Sequence, residues 1–199
     1  MNIEQQLQSS LSRWNLLESA FYQAWSAGTL PVDALKTYAH EYGAFISKIA
    51  DGWQAHGDVA IAAEEREHVE MWREFAKSLG TDIGEPATPA VRELTQVTER
   101  RFSESVDSLG ALYAFEAQQP ATATSKLEGL RKHYDLDASA ETYFEVHATD
   151  EAEPALLLER IKALPEADQT RAAEACEETA RALRLALDGL YDGCTAPTT

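Results

Sequence analysis

The chain has 199 residues, 44% hydrophobic and 26% charged, enough for one domain with a sizeable core. Its formal net charge of −17, from 34 acidic and 17 basic residues, repels phosphates, so neither a nucleic-acid partner nor an anionic membrane is expected. No window approaches a membrane-spanning apolar run, and the start MNIEQQLQSS lacks the pattern of a signal peptide, so a cytoplasmic location is expected.

The predicted elements are all helical. Breaks fall at AGTLP (27–31), HGD (56–58), LGTDIGEPATP (79–89), HYDLDA (133–138) and ALPEAD (163–168). Between them apolar residues recur at threes and fours, the helical period, and no alternating strand pattern or internal repeat occurs. This predicts an all-α, single-domain bundle of about seven helices over residues 1–192, with 193–199 as a flexible C-terminal tail.

The second helix is expected from about Val32 to Trp53, since Pro31 and Asp33 suit a helix start. Its segment TYAHEYGAF offers Tyr38, Glu41 and Tyr42 as the lining of an internal pocket, to which Tyr113 is added from further along the chain. Plain core packing is the other reading of these rings. In the third segment Ile61, Glu65, His68, Trp72, Phe75 and Leu79 step by 4, 3, 4, 3, 4. Glu65 and His68 therefore stand on an apolar stripe, where a carboxylate is costly unless paired or metal-bound. Glu-x-x-His is also a spacing used by helical carboxylate metal sites. Glu64, one turn from His68, is an alternative to Glu65.

The stretch LGALYAFEAQQP (109–120) places Glu116 on one face with Leu109 and Leu112. In YFEVHATDEAEP (143–154), His147 follows Tyr143 and Phe144, with Asp150 and Glu151 at i+3 and i+4, and Pro154 discourages continuation of the helix. The last helix carries the stripe Cys176, Ala180, Leu183, Leu187, Leu190; Cys176 is read as core and Cys194 as a free thiol near the end.

Three segments thus direct an acid or an imidazole toward one interior: Glu64 or Glu65, His68, Glu116, His147, and Asp150 or Glu151. Oxygen and imidazole donors in a bundle suit iron or manganese, with zinc also open. Each residue alone also fits a structural role, a hydrogen-bonded core histidine or a glutamate paired with an arginine or a tyrosine hydroxyl.

FYQAWSAGTLPVDALKTYAHEYGAF followed by HVEMWREFAKSLG resembles the helical fold shared by heme oxygenase, TenA thiaminases and the PQQ-synthesis protein PqqC. LGALYAFEAQQPATATSKLEGLRKHYDLDASAETYFEVH (109–147) is most similar to the CADD-like branch of dimetal oxidases and oxygenases. That resemblance implies a site built from an early Glu, a His seven residues later, a Glu in a YxxE segment and a His-x-x-x-Asp-x-x-His helix. His68, Glu116 and His147 stand at matching positions. Ile61 stands where the early Glu is expected, Glu151 where the Asp is, and Pro154 where the last His is. CADD-like proteins are implicated in para-aminobenzoate formation, with a Tyr and a Lys taking part; Tyr22 and Lys126 match, although from the residues alone they read as a packed tyrosine and a surface lysine. Neither cysteine matches the TenA nucleophile, and the first histidine, His40, comes too late to be the proximal ligand of a heme oxygenase.

Two readings follow. The first is an iron-dependent or other metal-dependent oxidase or oxygenase acting on a small organic molecule in cofactor or small-metabolite metabolism. It would hold one or two iron ions, with Tyr22 and Lys126 as catalytic candidates. The second is a relative without metal or redox activity that binds a small molecule in its cavity or a protein partner. Bundles of this kind often self-associate, so a homodimer is an open expectation.

Overall fold

The computed structural model describes residues 2–195, which form eleven α-helical segments and two short 3-10 turns. They are α1 (Ile3–Arg13), α2 (Ala20–Ala27), α3 (Val32–Ile46), α4 (Ile49–His56), α5 (Val59–Ser78), α6 (Pro89–Phe102), α7 (Ser105–Glu116), α8 (Gln119–His133), α9 (Thr142–His147), α10 (Ala152–Ala163) and α11 (Glu166–Thr195). All five breaks expected from the sequence separate helices. The larger number of helices arises because side chains end helices at points that hydropathy does not mark. The expected helix from Val32 to Trp53 divides at Ser47–Lys48, where the Ser47 hydroxyl donates to the Gly43 carbonyl (2.8 Å) and the next turn tightens. Between α7 and α8 the Gln118 amide donates to the Ala114 carbonyl (3.0 Å) and accepts from the Leu16 amide (3.0 Å). Residues 193–195 continue α11 rather than beginning a tail; the rest of that expected tail lies outside the described residues.

The core is organised around α7, whose residues from Asp107 to Glu116 are all buried. A helix apolar on every side belongs at the centre of a bundle. It is packed by α11 along one side and by α4, α6 and α10 on others. Gly110 makes the closest of these approaches possible: a Cβ there would lie 1.9 Å from the Ala172 carbonyl oxygen of α11. The rings of Phe21, Trp25, Tyr38, Trp72, Phe75 and Phe144 form a continuous aromatic cluster that joins α2, α3, α5 and α9. Among the described residues, no helix is long and apolar enough to cross a membrane.

Candidate metal centre

Helix α5 turns its apolar stripe inward, and Glu65 and His68 go with it. Glu65 is 4% exposed, whereas Glu64 points outward, which resolves that ambiguity in favour of Glu65. Glu65 Oε1 lies 3.3 Å from His68 Nδ1. Glu116 arrives from the last turn of α7 and His147 from the last residue of α9; both are buried. One ligand atom each from Glu65, His68 and His147 lies within 4.8 Å of the others. The same holds for Glu65, Glu116 and Glu153.

Glu153 takes a position that the sequence reading gave to Glu151. The spacing from His147 to Glu151 puts them on one face only if a helix runs through both. Helix α9 ends at His147, and α10 restarts at Ala152. Glu151 is the exposed residue preceding α10, while Glu153 in the first turn faces inward. Asp150 sets this restart by accepting the Ala152 amide at 3.0 Å. Pro154 sits in the same first turn, where its missing N–H costs little.

The electrostatics are those of a crowded acidic interior. Burial, reinforced by Glu65, Glu153 and Asp150, holds the Glu116 carboxyl well above the ordinary glutamate range. Burial, with Glu65 and Asp150, pushes Glu153 up to about 8. Burial lowers His147 to about 4, against the carbonyl bond from Tyr143 that favours its charged form. Burial also opposes charging of His68, but the nearby carboxylates, Glu65 first and then Glu153 and Asp150, outweigh it and its pKa is raised. Among the described residues no lysine or arginine forms an ion pair with Glu65, Glu116 or Glu153, and Glu116 Oε1 has no hydrogen-bond partner. Three clustered carboxylates without a cationic side chain are a donor set that suits a metal ion. The His147 Nδ1–H donates to the Tyr143 carbonyl (2.6 Å), which leaves Nε2 with its lone pair. The Tyr143 ring stacks on His147 at 4.1 Å between centroids and holds its orientation.

Lys126 is also internal. It is 3% exposed, so reading it as a surface lysine does not survive; a helix pattern alone could not show that the flank of α8 is covered by α2 and α9. Its Nζ lies 5.1 Å from the ring centres of both Tyr22 and Phe144. Burial lowers its pKa to about 7, so near neutral pH a large share is free amine. The Tyr22 and Tyr38 hydroxyls are 3.0 Å apart, and burial pushes both well above the ordinary tyrosine range.

The expected pocket residues divide. Tyr38 and Tyr42 stack at 4.8 Å within the aromatic cluster. Glu41 is committed elsewhere: its carboxylate accepts the Thr88 amide at the start of α6 (2.8 Å). Tyr113 faces α1, with its hydroxyl 3.4 Å from Gln8 Nε2, and lies in neither acid cluster. Sequence reasoning missed Glu153 altogether and gave no role to Tyr143. The available signal was the Asp150 cap ahead of Pro154, which marks a new helix start and so a new phase.

A family model described as an iron-containing redox enzyme matches residues 52–187. The chain is similar to a 4-aminobenzoate synthase of Nitrosomonas europaea, 28% identical over 97% of this chain and 92% of the relative. It is also similar to a 4-aminobenzoate synthase of Chlamydia pneumoniae, 28% identical over 71% of this chain and 72% of the relative. Among solved structures, a TenA homologue from Pseudomonas syringae pv. tomato shares the fold at a TM-score of 0.76 and 15% identity, over 96% of this chain and 93% of the other. A CADD-like protein of unknown function from Nostoc punctiforme does so at 0.68 and 14%, over 99% and 97%.

Proposed function

The chain belongs to the family of iron-containing redox enzymes, and from this premise we propose that it is an iron-dependent oxidase or oxygenase acting on a small organic molecule. The observation that carries the reading is the internal group of Glu65, His68, Glu116 and His147, with an unpartnered Glu116 oxygen and, among the described residues, no lysine or arginine ion-paired to its acids. These residues would hold the iron. When bound, iron supplies activation of dioxygen and accepts and returns electrons during substrate oxidation.

The chain's own residues supply the rest. Tyr143 fixes the His147 ring by stacking and by its carbonyl, so Nε2 is offered in one orientation. Glu65 orients His68 from one turn away. The rings around Lys126 exclude water and keep its Nζ ready to accept a proton or act as a free amine. The Tyr22 hydroxyl stays protonated and is oriented by Tyr38. Relatives named 4-aminobenzoate synthase support formation of 4-aminobenzoate or a related aromatic amine as the reaction served. The proximity of Lys126 and Tyr22, the pair implied by the CADD-like resemblance, supports the same assignment.

The test is anaerobic loading with Fe(II), desalting and elemental analysis, followed by oxygen uptake and mass spectrometry for 4-aminobenzoate. Near-stoichiometric iron in the wild type, lost in a His68→Ala, Glu116→Ala double variant, is the expected result. An untagged protein that retains no metal under these conditions is not an iron enzyme, and a thermal-shift search for ligands of a metal-free cavity would then follow.

A further inference from the structure

Two polar side chains outside the acid clusters are buried at the start of α8: Gln119, 3% exposed, and Thr122, 2% exposed. Three residues apart on a helix, they share one face. The Thr122 hydroxyl donates toward Gln119, lying 3.3 Å from its carbonyl oxygen and 3.4 Å from its side-chain Oε1. With Oε1 turned to Thr122, Gln119 Nε2 donates to the Tyr143 hydroxyl oxygen at 3.0 Å. The Tyr143 oxygen is thus an acceptor, and its own hydrogen remains to be given elsewhere. Glu65 and Glu116 are the charged groups that bear most on this hydroxyl. Each of them has an oxygen, Oε1, that receives no hydrogen bond. The opposite orientation of the Gln119 amide would present a carbonyl oxygen to Tyr143 and draw its hydrogen away from acceptors that lack a donor.

We propose that Gln119 is a positioning residue of the acidic centre: its amide, set by Thr122, holds the oxygen of Tyr143 so that the hydroxyl hydrogen is directed to the carboxylates of Glu65 and Glu116. A carboxylate that receives a hydrogen bond is favoured in its ionised, ion-binding form and is held in one orientation. Tyr143 then serves the centre twice, by stacking on His147 and by this hydrogen. A phenol keeps its hydrogen far above neutral pH, so the donor persists where the acids ionise. The inference rests on the proposed metal-dependent function.

The experiment is a double-mutant cycle on the full-length protein, with Gln119→Met, which keeps the length of the side chain and removes its amide, Tyr143→Phe, and the two combined. Chemical denaturation of the metal-free proteins reads the bond itself. Gln119→Met is expected to raise the unfolding constant about fivefold, and to have no such effect in the Tyr143→Phe background. Anaerobic titration with Fe(II) against a chromophoric chelator reads the role. Each single variant is expected to weaken Fe(II) binding roughly tenfold to a hundredfold, and the double variant no more than Tyr143→Phe alone. A packing role for Gln119 would persist without the hydroxyl, so losses that multiply in the double variant overturn the inference. A Gln119→Met protein that binds Fe(II) as tightly as the wild type does so too; either outcome leaves an iron enzyme standing. A wild type that binds no Fe(II) overturns the proposed function and this role with it, whatever the metal-free cycle shows. Circular dichroism monitors folding, and Thr122→Val, which keeps the shape and loses the hydroxyl, carries the same cycle should Gln119→Met fail to fold.

Discussion

Helix α7 buries an acid near each end, and the two are treated in opposite ways. Asp107 in its first turn is 8% exposed and receives Arg101 Nη1 at 2.7 Å and Arg171 Nη2 at 3.0 Å. Arg101 also binds Glu178 on α11, so the N-terminal end is a closed ionic network. Glu116 in the last turn is 3% exposed and has an oxygen with no partner, with other acids as its charged neighbours. Burying a charge is expensive in either case. At Asp107 the expense is offset by the protein itself. At Glu116 it is left for something else to offset, and this asymmetry distinguishes an acid that holds the fold together from one that serves a site.

The strongest way to break the comparison is to move the helix that carries both ends. Gly110→Ala places a methyl group against the Ala172 carbonyl, so α7 and α11 must separate. The expected cost is roughly 3 kcal/mol in chemical denaturation, with metal retention falling as well because Glu116 moves with α7. Next comes the N-terminal end alone. Arg101→Ala strips Asp107 and Glu178 of a shared cation and should cost about 2 kcal/mol, discounted because the arginine is partly exposed. Iron retention should be unchanged in that variant. Loss of iron there would mean that the two ends of α7 are not independent.

The C-terminal end predicts a smaller change of opposite sign. In metal-free protein Glu116→Gln removes a carboxyl that is held protonated by its surroundings, and it should gain about 1 kcal/mol at neutral pH. The pH dependence follows from linkage. Glu116 and Glu153 have folded pKa values above their unfolded ones, so between the ordinary glutamate range and the raised values the native state binds more protons than the unfolded state. The contribution of these two carboxyls to the stability of the metal-free protein therefore falls as pH rises through that window, which for Glu153 extends to about 8, whereas buried His147 and Lys126, lowered to about 4 and about 7, contribute in the opposite sense. In thermal melts from acidic to mildly alkaline pH the wild type should lose stability relative to Glu116→Gln and Glu153→Gln as pH rises. A bound divalent cation should reduce that loss in the wild type, because it replaces the protons.

How much of this was legible in the sequence depends on whether a residue lay inside a helix or across a break. The stripe through Glu65, His68, Trp72 and Phe75 was legible because α5 runs unbroken from Val59 to Ser78, so the helical period carries from one residue to the next. Glu116 was legible in the same way within α7. The burial of Lys126 was not, since α8 is polar in composition and the cover over it comes from α2 and α9, far apart in sequence. The extra helix ends at Ser47 and Gln118 were hidden because a hydroxyl and an amide, rather than Gly or Pro, interrupt the backbone pattern there.

The exchange of Glu151 for Glu153 is the sharpest instance. Periodicity is a statement about one rigid helix, and it loses its phase when the chain leaves the helix. Between His147 and Ala152 the backbone turns out of α9 and restarts as α10 under the Asp150 cap, so an i+4 relation drawn across that turn no longer says which residues share a face. The smallest predicted effect follows from this. Glu151→Ala removes an exposed acid before α10 and should change stability by about 0.5 kcal/mol or less. It should leave metal content and the slope of stability with pH unchanged. Glu153→Gln, two residues along, should alter both. If Glu151→Ala instead lost metal and Glu153→Gln kept it, the helix would run through the turn when metal binds, and the spacing read from the sequence would describe the loaded protein.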